Sequence, residues 1–107
     1  MATISTHVLD LESGDPAPNL AVTLERMEDG AWRRVHAANT DPDGRVADLL
    51  GESTLRTGVY RLVFNTAAYG HRFYPEVTVA FRVEDAARHH HIPLLLSPFG
   101  YSTYRGS

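Results

Sequence analysis

Cysteine is absent from the 107-residue chain. That excludes disulfides, thiolate nucleophiles and cysteine-ligated metals. Lysine is absent as well, since all ten basic side chains are arginine, so no side-chain amine is on hand for Schiff-base chemistry. Arginine stays charged and offers a planar fork of donors, which suits flat oxyanionic ligands. No apolar run approaches the roughly 20 residues that span a bilayer, and no membrane partner is expected. A basic excess is missing too. The formal net charge of -3 speaks against a nucleic-acid partner. Met1-Ala2-Thr3-Ile4 carries neither a basic head nor an apolar signal region, and a Ser-Lys-Leu ending is lacking, so the expected address is cytoplasmic. Internal repeats and low-complexity tracts are also absent.

What the chain has is alternation. Thr3 to Leu11 reads as a strand with Ile4, Thr6 and Val8 on one face and Ser5, His7 and Leu9 on the other. If Val8 faces a core, His7 points outward. A loop with Gly14, Pro16 and Pro18 follows. Ala21 to Glu28 is a strand with Val22 and Leu24 inward, and Asp29-Gly30 signals a hairpin into Trp32–Asn39. A second signal, Asp43-Gly44, sets Arg45 at the start of Arg45-Val46-Ala47. Gly51 to Thr57 reads as polar loop. Gly58 to Asn65 and Glu76 to Val83 alternate as strands, with one helical turn between them at Thr66 to Gly70, capped by Asn65 or Thr66. The last nineteen residues open on His89-His90-His91 and read as two strands joined at Ser97-Pro98-Phe99-Gly100. About eight strands at short spacing and almost no helix predict an all-β, antiparallel sandwich or barrel, one domain over residues 1–107.

Four polar groups stand at strand positions: His7, Arg45, His91 and the tail from Tyr104 to Ser107. By alternation His89 and His91 share a face and His90 takes the other. Histidine has a reference pKa of about 6.5 and exchanges protons near neutral pH. An imidazole that takes a proton from water, beside a guanidinium that holds oxyanion charge, is a hydrolytic kit. The same residues also fit plainer roles. His7 and Arg45 could be solvated surface groups, and the tyrosines could be packing groups with wet hydroxyls. His7, His89 and His91 could together ligate a metal, although no carboxylate is placed to orient them. Spacing alone leaves these alternatives open.

A resemblance narrows them. Ser5-Thr6-His7-Val8-Leu9-Asp10, Asp43-Gly44-Arg45, Phe73-Tyr74-Pro75-Glu76-Val77, and His91-Ile92-Pro93-Leu94-Leu95-Leu96-Ser97-Pro98 running into Tyr101-Ser102-Thr103-Tyr104-Arg105-Gly106-Ser107 resemble the 5-hydroxyisourate hydrolases, the transthyretin-related enzymes of urate breakdown. The match is collinear over essentially the whole chain, and its most specific mark is the Tyr-Arg-Gly-Ser tail. Transthyretin itself is similar around the Leu-Leu-Ser-Pro turn but lacks the counterparts of His7, Arg45 and the tail. The resemblance implies a transthyretin-like sandwich of two four-stranded sheets with at most one short helix. It implies a homotetramer with active sites at the mouths of a central channel. It further implies hydrolysis of the purine-derived substrate 5-hydroxyisourate to 2-oxo-4-hydroxy-4-carboxy-5-ureidoimidazoline, without metal or organic cofactor. His7, Arg45, His91 and Ser107 match the catalytic positions, and His7, Arg45 and Tyr104 those that bind substrate. The chain departs from the pattern at His90 and Phe99, where tyrosine is common, and the segment between Tyr69 and Phe73 is short.

Overall fold

A computed structural model describes residues 2–106. In chain order the elements are β1 (Ile4–Asp10), β2 (Asp15–Pro16), β3 (Ala21–Glu28), β4 (Ala31–Asn39), β5 (Arg45–Val46), β6 (Gly58–Phe64), α1 (Thr66–Tyr69), β7 (Val77–Val83), β8 (His90–Ser97) and β9 (Gly100–Thr103). They form two sheets. One runs β4-β3-β6-β7; the other runs β2-β1-β8-β9, with β5 also pairing β1.

The apolar alternation closes the sheets on each other. Val22 and Leu24 of β3, with Tyr60, Leu62 and Phe64 of β6, are buried from one side. Ile4 and Val8 of β1, with Ile92, Leu94 and Leu96 of β8, meet them from the other. Each such side chain removed from water contributes about 1.5–3 kcal/mol. Tyr60 keeps its hydroxyl satisfied by donating to the Arg56 carbonyl at 3.0 Å. The Asp29-Gly30 signal forms its hairpin, both residues adopting positive φ, 51° and 79°, as a two-residue turn that follows strand twist requires. The helical turn is there, with Asn65 as its cap accepting from Ala68 N at 3.2 Å.

Three features differ from the sequence expectation. The β2-β1-β8-β9 sheet is mixed, because β1 and β8 run parallel over seven residue pairs. Turn signals reveal hairpins between neighbours in sequence. They are silent on strands whose paired residues lie 86 apart. That sheet also has five strands rather than four. The free edge of β1 is shared by two short pieces: β2 opposite Leu9 and Asp10, and β5 opposite Thr6 and His7. The segment read as polar loop contains Leu55, which is buried in the core beside Leu49 and Leu50.

Candidate active site

The mixed pairing is what assembles the site. On β1, Ser5 lies opposite His91 of β8, and His7 lies opposite Arg45 of β5. Residues opposed across a ladder share a face. With Ile4, Thr6 and Val8 turned inward, Ser5, His7, Arg45 and His91 all emerge on the outer face of one sheet.

Each is held by local chemistry. Arg45 follows a turn organised by Asp41, whose Oδ1 accepts from Asp43 N and Arg45 N, both at 2.9 Å. Gly44 sits in that turn at φ 76°, and a Cβ there would lie 2.5 Å from the Val8 carbonyl oxygen. Glycine alone lets the turn close onto β1, where Val8 N donates to Gly44 O at 2.7 Å. His7 Nε2 is 2.9 Å from the Asp43 carbonyl oxygen. A carbonyl only accepts, so Nε2 carries the proton and neutral His7 keeps its lone pair on Nδ1.

His91 Nδ1 is 2.8 Å from Ser5 Oγ, and the same oxygen is 2.8 Å from His89 Nε2. Burial, first, and then the charge of Arg45, His7 and His89 hold the His91 pKa below its ordinary 6.5. His91 is therefore neutral at neutral pH, and with Nδ1 bonded to Ser5 its Nε2 is left to act. His89 and His91 do share a face, as alternation predicts. His90 points inward, is buried, and donates from Nδ1 to the Arg88 carbonyl at 2.8 Å. Among the described residues no three histidines or carboxylates are grouped to hold a metal.

The tail folds back onto β8. Thr103 Oγ1 donates to the Pro93 carbonyl at 2.7 Å, and Gly106 N donates to the His91 carbonyl at 2.8 Å. A Cβ on Gly106 would sit 2.5 Å from His91 Cδ2, so the imidazole lies directly on the Gly106 backbone. The sequence reading singled out the tail's side chains and missed this contact; the glycine between Arg105 and Ser107 was the one signal for it. Tyr104 and Arg105 line a cavity of about 210 Å³ with His91, His90 and Arg82. His7 and Arg45 lie outside that lining, on the open face. Ser107 lies outside the described residues. A larger groove, about 1180 Å³, runs past Asp10, Tyr69, His71, Phe73 and Phe99 and contains none of the candidate catalytic or substrate-binding residues. Its polar groups tie elements together: Tyr69 Oη donates to Asp10 Oδ2 at 2.8 Å, and His71 bridges Tyr74 N and the Ser97 carbonyl.

A family model described as the HIUase/Transthyretin family matches residues 4–106. A 5-hydroxyisourate hydrolase of Salmonella dublin is 42% identical over 109 residues, covering 97% of this chain and 80% of that protein. A Mus musculus protein of the same name is 41% identical over 111 residues, covering 97% of this chain and 94% of its own. Among solved structures, Klebsiella pneumoniae 5-hydroxyisourate hydrolase superposes with TM-score 0.84 at 33% identity, covering 99% of this chain and 100% of that one. Sea bream transthyretin in complex with thyroxine superposes with TM-score 0.88 at 31% identity, covering 98% of this chain and 95% of that one.

Proposed function

Because the chain belongs to the HIUase/transthyretin family, we propose that it is a cyclic-amide hydrolase opening 5-hydroxyisourate to 2-oxo-4-hydroxy-4-carboxy-5-ureidoimidazoline. The observation that carries this reading is the state of His91. Burial and the charge of Arg45, His7 and His89 favour its neutral form, and its Nδ1 is bonded to Ser5 Oγ, so that Nε2 is the nitrogen left to meet substrate or water. A carrier of flat ligands needs no such base.

The roles follow from the geometry. His91 Nε2 takes a proton from water as the oxygen attacks the ring carbonyl. Arg45 holds the flat anionic substrate and the developing oxyanion. His7, anchored through Nε2 to Asp43, presents Nδ1 to the substrate ring and orients it. Tyr104, 58% exposed in the cavity wall, closes over the ring once substrate is bound. Ser107, next in sequence after Gly106, is the remaining catalytic group of this reading, on the family resemblance. Water and these side chains suffice for the reaction, with no cofactor.

Arg45 stands exposed on the outer face, where bulk water would screen its charge. A second copy covering that face would dry the site, and we assign the working form as a homotetramer of single-domain chains in the cytoplasm. No helix among the described residues is long and apolar enough to cross a membrane.

The test is to generate 5-hydroxyisourate from urate in situ and follow its absorbance with and without the protein. Acceleration of its decay at catalytic protein concentration is the expected result. No acceleration, together with stoichiometric binding of thyroxine, would place the chain with the carriers instead.

A further inference from the structure

One hydroxyl on the outer face has no part in the chemistry above. Ser5 Oγ sits between two imidazoles, 2.8 Å from His91 Nδ1 and 2.8 Å from His89 Nε2. Ser5 is buried and His89 is exposed. A hydroxyl has one proton and two lone pairs. It therefore donates to one ring and accepts from the other, and two arrangements are possible. In the first, His91 Nδ1–H donates to Ser5 and Ser5 O–H donates to His89, which leaves His91 Nε2 bare, a base. In the second, both bonds are reversed and His91 carries its proton on Nε2, an acid.

We propose that Ser5 and His89 form a relay that parks the positive charge of the reaction on His89 while His91 alternates between base and acid. The proposal rests on the hydrolase reading and deepens it. The protons balance as follows. His91 Nε2 takes a proton from the attacking water. Its Nδ1 proton passes to Ser5 Oγ, and the Ser5 proton passes to His89 Nε2. His91 is again neutral, now with its proton on Nε2, and His89 is the imidazolium. When the ring C–N bond breaks, His91 Nε2–H protonates the leaving ureido nitrogen. The Ser5 proton returns to His91 Nδ1, and the His89 Nε2 proton returns to Ser5. The three side chains end as they began. The product carboxyl loses its own proton to water.

The energetic reason is where the charge rests. The titratable and charged groups facing His91 are Arg45 on β5, His7 on β1 and His89 preceding β8, with Arg105 and Arg82 around the adjoining cavity. A cation on half-buried His91 would stand among them. Moved to His89, it is removed from the reacting imidazole by one hydrogen-bonded hydroxyl. A hydrogen-bonded chain between such groups is also strengthened by mutual polarisation. Ser5 and His89 touch no reacting atom; they act through His91 and are positioning residues.

The experiment compares the wild type with Ser5→Ala and His89→Ala in the 5-hydroxyisourate assay, with rates measured in mixtures of light and heavy water. In the wild type the rate should bow against deuterium fraction, because several protons move together. In both variants kcat should fall roughly tenfold or more with KM little changed, and the plot should become linear. Unchanged kcat, or a lowered kcat with the bow retained, would overturn the relay. A second arm needs no turnover. Nitrogen NMR of the imidazoles should show His89 and His91 titrating as a coupled pair in the wild type and independently in Ser5→Ala; independent titration in the wild type would also overturn the relay. If the wild type does not hydrolyse the substrate, the hydrolase reading fails, and the coupling measured by NMR still decides whether the proton path exists.

Discussion

At the scale of single residues, His91 is set by its surroundings more than by its own chemistry. Burial and the cationic neighbours hold its pKa below 6.5. If neutral His91 is the base, kcat/KM should stay level as the pH drops from 7 and bend only below 6.5, and His91→Asn should remove that limb. The same shift bears on stability with a definite sign. Between 6.5 and the lower folded value the unfolded chain binds the proton that the folded chain refuses, so His91 lowers stability as pH falls through that window and contributes nothing unfavourable above it. Urea midpoints across that range, compared with His91→Asn, measure it. Gly106 is equally local. A methyl there would strike the His91 ring at Cδ2, so Gly106→Ala should turn the imidazole and lower turnover by roughly 10²-fold, the usual consequence of a misplacement near 1 Å. Ser5 shows what single positions hide from a sequence reader. Its sharing a face with His7 is plain in the alternation, but its partners His89 and His91 are 84 and 86 residues away.

At the scale of elements, the hairpins were legible because their chemistry is local. Asp29-Gly30 and Asp43-Gly44 mark turns by residue type, and Val22 and Leu24 mark the buried face of β3 by spacing. The helical turn was legible from Asn65. The parallel pairing of β1 with β8 was not, since nothing local encodes which distant strand lies alongside. The short strand β5 was legible at Arg45 from the turn before it, but its pairing with β1 was not. Yet β5 carries Arg45 to His7, and its placement depends on Gly44. Gly44→Ala should cost about 1–3 kcal/mol through the positive φ, more through the clash with the Val8 carbonyl, and should displace Arg45. A lowered melting temperature with a raised KM for substrate is the expected pair of effects; a lowered melting temperature with unchanged kinetics would detach the turn from the site.

For the whole molecule, the sheet that carries the site ends on β9, an edge strand. Phe99, 78% exposed, stands at the turn leading into it, and Tyr101 is exposed along it. An open edge with exposed aromatics is a surface that a second copy would cover. The protein should therefore sediment as a tetramer, and deletion of Arg105–Ser107 should leave that assembly intact while abolishing turnover. Sedimentation and assay of the truncated chain separate the two effects.

The central claim is that a neutral imidazole on β8, with a guanidinium delivered by β5, performs the hydrolysis. The measurement that reaches it most directly is the decay of 5-hydroxyisourate, generated in situ, with equal amounts of wild type and His91→Asn. Loss of roughly 10²–10⁴-fold in kcat, at an unchanged melting temperature and assembly state, is the predicted result. Equal rates for the two proteins would contradict it.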